Sequence, residues 1–189
     1  MSYYEDSFQA DIPNVSFIGM PGVGKSVLGR EVSEYMKWAF FDTDKIMELT
    51  LNKPLARIVE VLGEKRFLQW EDKVIRSLPL TTLRAVISPG GSAVYSPRAM
   101  KFLRAHTIVV YLSASARDVK DWIRDDRSRG IVGTGNGGIE ALYRERVPLY
   151  RKYADVTVKV NSGHDIDELV PHIVKKAAEF SVSAKKKKR

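Results

Sequence analysis

Eight residues near the start of the chain, Gly19-Met20-Pro21-Gly22-Val23-Gly24-Lys25-Ser26, fit the pattern G-x-x-x-x-G-K-[ST] at every fixed position. A short apolar run, Val15–Ile18, precedes them, and a helix-periodic stretch follows from Lys25. Strand, glycine-bearing loop and helix in that order leave few folds open, because such a loop sits at the carboxyl end of a strand inside a covered sheet. The glycines let the backbone turn its N–H groups toward an anion, and the new helix adds the positive end of its dipole. A loop of this kind wraps the phosphates of a nucleoside triphosphate. Nucleotide contacts are therefore expected at Gly22, Val23, Gly24, Lys25, Ser26 and Val27. Lys25 is placed to neutralise charge on the outer phosphates, and the Ser26 hydroxyl is a candidate Mg2+ ligand.

The remainder of the chain alternates in the same way. Apolar strands are expected at Val15–Ile18, Ala39–Phe41, Ala85–Ser88, Ile108–Leu112 and Val156–Val160. Helices are expected at Lys25–Met36, Lys45–Thr50, Leu55–Leu62, Glu64–Leu78, Pro97–Arg104, Ala116–Arg127, Gly138–Tyr153 and Asp165–Phe180. Short β-branched strands separated by helices imply an α/β fold: a five-stranded parallel sheet flanked by helices. One domain over residues 12–180 accounts for the pattern, with no internal repeat and no linker.

Other features bound the function. The chain has no cysteine, which removes disulfides and cysteine-based metal clusters and is compatible with a reducing compartment. No apolar run approaches a membrane span, and the polar, acidic segment Met1–Asp11 does not read as a secretory signal, so the cytoplasm is the expected location. The net charge of +8 suggests nucleic acid at first sight, but Lys185–Arg189 supply +5 of it. Residues 181–189 read as a disordered basic tail that turnover does not need. Nucleic acid and membrane are accordingly not expected as partners, and a monomer is.

Phosphoryl transfer also needs a metal and a group that orients or deprotonates the acceptor hydroxyl. Ligands in open α/β sheets bind at the carboxyl ends of strands, so those ends are searched first. The second strand runs into Asp42-Thr43-Asp44. One carboxylate suits the Mg2+ shell and the other an acceptor hydroxyl; capping of the next helix by Asp44 is the competing use. The third strand runs into Ser88-Pro89-Gly90-Gly91-Ser92, where two glycines would let a small substrate lie against backbone N–H groups. Neither this strand nor Ile108–Leu112 ends in an acid, which argues against a helicase or transporter-type ATPase. Between Gly130 and Gly138 five of nine residues are glycine, flanked by Arg124, Arg127 and Arg129 before and Arg144 and Arg146 after. That segment reads as a lid closing over substrate rather than as a plain surface loop.

In this combination the chain resembles the shikimate kinases. The likeness runs from about Val15 to Val160. It rests on the phosphate loop with Lys25 and Ser26, on Asp42-Thr43-Asp44, on Gly63-Glu64…Phe67…Glu71, on Gly90-Gly91, and on Arg146-Val147-Pro148-Leu149-Tyr150. The resemblance implies a nucleoside-monophosphate-kinase-like fold and ATP-dependent phosphorylation of the 3-hydroxyl of shikimate, on the route to chorismate and the aromatic amino acids. It implies Lys25 and Ser26 on phosphate and Mg2+, Asp42 supporting the metal, and Asp44 as base at the acceptor hydroxyl. It further implies Gly90 and Gly91 against the substrate, Arg146 on its carboxylate, and Arg129 reaching from the lid to the transferring phosphate.

Three departures concern the acceptor and the lid. Where the resembled family reads Gly-Glu-x-x-Phe-Arg-x-x-Glu, with the arginine pairing with the acceptor carboxylate, this chain has Leu68. Arg66 is no replacement, since two residues on a helix place it roughly 200° around the axis. Leu68 reads equally well as core with Val61, Leu62 and Ile75. A third family glycine is Ser92 here, preceded by Pro89, and Arg129 is followed by Gly130-Ile131-Val132 rather than Pro-Leu. A same-fold kinase of another small hydroxylated metabolite, such as homoserine or gluconate, and a non-catalytic nucleotide-binding relative are the alternatives.

Overall fold

The computed structural model describes residues 12–124, 131–133, 138–163 and 165–186. Five parallel strands form one sheet: β1 (Asn14–Ile18), β2 (Ala39–Asp42), β3 (Ala85–Ser88), β4 (Thr107–Ser113) and β5 (Val156–Lys159), in the order β2-β3-β1-β4-β5. The central strands are buried along their whole length, as β-branched runs covered on both faces must be. Phe17, Val86, Ile87, Val109, Val110 and Leu112 are inaccessible to solvent and carry the core. Asn14 is one of the buried polar residues of these strands, and it is fully used. Its amide donates to the carbonyls of Leu80 (2.7 Å) and His106 (3.2 Å), and its Oδ1 accepts from the Ala85 N–H (2.8 Å). A buried side chain satisfied in this way ties the start of β1 to the segments on both sides.

The helices are α1 (Lys25–Met36), α2 (Thr43–Leu51), α3 (Leu55–Arg76), α4 (Pro97–His106), α5 (Ala116–Arg124), α6 (Gly138–Tyr153) and α7 (Ile166–Lys186). Register brings the carboxyl ends of the first three strands level: Val15 pairs with Val86, and Asp42 pairs with Ser88. The loops leaving β1, β2 and β3 therefore open on one edge of the sheet. A second, smaller apolar cluster of Met47, Ile58, Phe67 and Val132 joins α2 and α3 to residues 131–133, beside that edge.

Several boundaries differ from the sequence expectation. The second helix begins at Thr43 rather than Lys45, and its N-cap is Asp42, whose Oδ1 accepts from the Lys45 N–H (3.1 Å). The two helices expected on either side of Gly63 are both present within α3, since Gly63 leaves helical geometry (φ 71°, ψ 156°) and kinks the run between them. The disordered tail expected from residue 181 is corrected in part: α7 continues to Lys186, and Ser181 is buried. Ser181-Val182-Ser183-Ala184 contains neither Gly nor Pro, so nothing local stops the helix there. Residues 187–189 lie outside the described part. Among the described residues no helix is long and apolar enough to cross a membrane.

Ser96 shows how the helices beside the site are held. It caps α4, accepting from the Ala99 N–H (3.1 Å), while its hydroxyl donates to Asp72 on α3 (2.7 Å). Burial works against the Asp72 charge, but bonds from Arg76 and Ser96 outweigh it and hold the carboxyl below its ordinary range. Ser96→Ala loses both the cap and the inter-helix bond. It is expected to cost about 1–3 kcal/mol of unfolding free energy in urea titration. A loss within about 0.5 kcal/mol, the range of neutral surface changes, would contradict this role.

Candidate active site

At the common edge lies a cavity of about 410 Å³. One end is the loop after β1. Gly24 takes φ 91°, a left-handed conformation that admits little but glycine, and serves as the N-cap of α1 with no side-chain cap bond. The first amides of α1 are thus not satisfied by a capping side chain, the condition under which a helix start receives an anion. Lys25 is 9% exposed, and its ammonium donates to the carbonyl oxygens of Gly19 and Met20, both at 3.1 Å. Ser26 Oγ lies 3.4 Å from Ser88 Oγ at the end of β3, whose register partner is Asp42. Gly22, Gly24, Lys25, Ser26, Val27 and Asp42 all line the cavity.

Val23 does not line it. Its side chain is buried in the core and its N–H donates to the Met20 carbonyl (3.4 Å), so it anchors the loop from beneath. Among the described residues no group of three or more His, Asp or Glu could hold a metal unaided. Mg2+ typically takes one or two protein oxygens and completes its shell with substrate phosphates and water. The Ser26 hydroxyl and the Asp42 carboxylate, whose Oδ1 alone is used in capping α2, match that requirement.

The opposite end gathers Asp44, the adjacent Gly90 and Gly91, and Arg146, from three different segments. Glycine is needed at position 90 for space. A Cβ there would fall 2.3 Å from Glu71 Oε1 and 2.7 Å from Asp44 Oδ1. A Cβ at Gly91 would meet the Arg146 guanidinium at 3.0 Å. Arg146 is 1% exposed. Its Nε donates to the Tyr95 hydroxyl (3.2 Å), its Nη2 to the Val132 carbonyl (2.8 Å), and its charge stands 4.9 Å above the Tyr95 ring. Tyr150 donates to the Gly91 carbonyl (2.7 Å), and burial raises its phenol far enough above the ordinary value that it remains a donor. A buried guanidinium held by a ring, a hydroxyl and a carbonyl is a pre-set anion receptor.

Of the expected glycine-rich lid, Ile131, Val132 and Gly133 are described. Ile131 and Val132 line the cavity, Val132 is buried against Met47, Ile58 and Phe67, and the Gly133 N–H donates to Glu64 (2.8 Å). Ile131 and Val132 close one wall of the site, and Gly133 ties them to α3 through Glu64. Arg127 and Arg129 lie outside the described residues, so the expected contact of Arg129 with phosphate has no counterpart here. Arg144 is exposed, and Arg66 is exposed as its helical offset requires. Leu68 is partly buried against the Met47–Phe67 cluster, whereas Val61, grouped with it in the sequence reading, is 67% exposed.

Sequence reasoning assigned no role to Glu71, Ser92, Tyr95 or Tyr150. Tyr150 carried a signal, since it lies four residues after Arg146 and hence on the same helical face. Ser92 and Glu71 meet at 2.8 Å across 21 positions; Glu71 stood in the motif and Ser92 departed from it, but nothing in the sequence paired them.

The sequence and the fold match known proteins. The family model described as shikimate kinase matches residues 21–178. A shikimate kinase of Cupriavidus pinatubonensis is 38% identical over 151 residues, 78% of this chain and 77% of that protein. One of Thiobacillus denitrificans is 36% identical over 148 residues, 77% of this chain and 80% of that protein. The solved shikimate kinase of Acinetobacter baumannii, in complex with shikimate, superposes with a TM-score of 0.79 at 29% identity, covering 90% of this chain and 94% of that one. A gluconokinase of Sinorhizobium meliloti shares the fold alone, at a TM-score of 0.56 and 14% identity. A phosphate loop, an acidic strand end and a buried arginine converging on one cavity thus accompany a match over most of the length, and the chain belongs to the shikimate kinase family.

Proposed function

We propose that this chain phosphorylates the 3-hydroxyl of shikimate with ATP, giving shikimate 3-phosphate for the synthesis of chorismate and the aromatic amino acids. The observation that supports this most directly is the two-ended cavity: Lys25 and Ser26 at one end, Asp44, Gly90, Gly91 and Arg146 at the other. The loop amides and Lys25 hold the β- and γ-phosphates. Ser26 and Asp42 would hold Mg2+, which when bound neutralises phosphate charge. Arg146 receives the acceptor carboxylate, and the backbone of Gly90 and Gly91 lets the ring approach. Asp44 orients the acceptor hydroxyl and takes its proton. Arg129, from the segment before Ile131, is assigned to the transferring phosphate. Val132 and Ile131 keep water from the reacting groups, which limits ATP hydrolysis. The reading includes a monomer in the cytoplasm, a compartment with which a chain without cysteine is compatible.

Turnover with a panel of shikimate, homoserine and gluconate tests the assignment. Shikimate is expected to give the highest kcat/KM; turnover of another member with none of shikimate would reject it. Leu68 gives a sharper test of acceptor binding. Leu68→Arg adds a cation where the resembled family carries one. A charge-assisted bond of about 1.5–3 kcal/mol would lower KM for shikimate roughly 10- to 150-fold with little change in kcat. An unchanged KM would show that the acceptor carboxylate does not lie near position 68.

A further inference from the structure

Glu71, on α3 one turn beyond Phe67, is 1% exposed and has no part in the roles above. Its two oxygens differ. Oε2 accepts from Ser92 Oγ (2.8 Å), whereas Oε1 is buried and has no hydrogen-bond partner among the described residues. Oε1 is aimed at Gly90, where it and Asp44 Oδ1 close on a single point. Two carboxylates facing each other across a glycine in a buried site cannot both carry charge cheaply. Leu68, one turn earlier on the same helix, brings no cation to offset them.

Among the described residues, the charged and polar groups that act on Glu71 come from four elements. Asp44 faces it from α2, Ser92 from the loop after β3, Arg146 from α6 and Lys25 from α1. The neighbour on its own helix, Asp72, is engaged by Arg76 and Ser96. Burial is the strongest influence and the Asp44 charge the next. Ser92, Arg146 and Lys25 act the other way without overcoming them, and the Glu71 carboxyl is pushed up to about 8.

We propose that Glu71 works in this site as an uncharged carboxylic acid, its proton on Oε1 directed to Asp44, and that in this form it positions the Asp44 carboxylate against the acceptor hydroxyl. The inference rests on the reading of Asp44 as the group that meets that hydroxyl. Glu71 is a positioning residue: it touches neither phosphate nor acceptor. Ser92 orients it by occupying Oε2, which leaves Oε1 to carry the proton. Loss of that proton sets a second negative charge beside Asp44, where an anionic acceptor and phosphate must enter.

Glu71→Gln separates this from a purely structural role, because the amide can accept from Ser92 and donate toward Asp44 but cannot ionise. For the wild type, kcat/KM for shikimate is expected to fall about tenfold per pH unit above about 8. Glu71→Gln is expected to lose roughly threefold at neutral pH, the amide being the weaker donor, and to show no alkaline fall. Ser92→Ala removes a bond that favours the charged form, so its fall should move to higher pH. An alkaline fall in Glu71→Gln matching the wild type would overturn the inference, as would a Ser92→Ala fall shifted to lower pH. Asp44→Asn distinguishes the two claims. Turnover retained in Asp44→Asn rejects the reading of Asp44 itself, whereas an inactive Asp44→Asn beside an unaltered profile in Glu71→Gln rejects only the role of Glu71.

Thermal unfolding supplies a readout free of catalysis. The folded value, about 8, lies above the ordinary 4.5, so the wild type is stabilised by the bound proton at low pH and loses that stability as pH rises between the two. The Tm of Glu71→Gln minus that of the wild type should therefore widen across this window and level off above it. A difference that stays constant with pH would show that Glu71 is already ionised in the folded protein.

Discussion

Asp44→Asn is expected to reduce kcat by about 10²–10⁴-fold, the usual weight of a positioned acid–base group, with binding of Mg-ATP little changed. The substitution keeps the size of the side chain and its place in the first turn of α2, where Asp42 provides the cap. Helix stability is therefore not at issue. What is lost is an oxygen able to take the acceptor proton and the negative charge that draws the hydroxyl toward it. Asp44 is also the residue whose Oδ1 closes on Gly90, so even a small rotation of the side chain would move the acceptor wall. Steady-state kinetics with both substrates varied, together with calorimetric titration of Mg-ATP, would separate the effects. A kcat within about threefold of the wild type would remove Asp44 from the base role.

Lys25→Ala is the second large effect, expected to lower kcat roughly 10²–10³-fold and to raise KM for ATP. The ammonium is held at 3.1 Å by two carbonyls of the same loop and is nearly buried, so its head is already at the phosphate end with little rotamer freedom left to lose on binding. Charge alone is not sufficient, because the Gly19 and Met20 carbonyls fit a compact three-donor ammonium. Lys25→Arg, whose planar fork needs a different acceptor arrangement, should recover little of the loss. Unfolding curves are the control: a folded but inactive Lys25→Ala localises the defect to phosphate handling. Wild-type turnover in this variant would show that another cation does the work.

The parts of the candidate site that stand out in the chain are those written contiguously. Gly19–Ser26 encode strand exit, loop and helix start in eight positions, and the observed Gly24 φ of 91° is what the spacing demanded. Asp42 and Asp44 were found because a β-to-α junction has a recognisable change of period, although the cap fell on Asp42 rather than Asp44. Arg146 was found through its motif, but its burial and its contacts with Tyr95 and Val132 depend on three segments meeting. The Glu71–Ser92 bond was invisible for the same reason: neither residue type marks the other, and the pair exists only once α3 packs beside the loop after β3. Gly63 was legible too: a single glycine between two helical patterns reads as a break, and the backbone there leaves helical geometry (φ 71°, ψ 156°) with helix on both sides.

The measurement closest to the central claim is phosphorus NMR of the wild-type chain with Mg-ATP, with and without shikimate. A single new phosphomonoester signal should grow in equal amount with ADP, and neither should form in quantity when the acceptor is left out. ADP appearing with inorganic phosphate and no phosphomonoester would mean that the Asp44–Arg146 end of the cavity does not hold the alcohol, and would contradict the assignment.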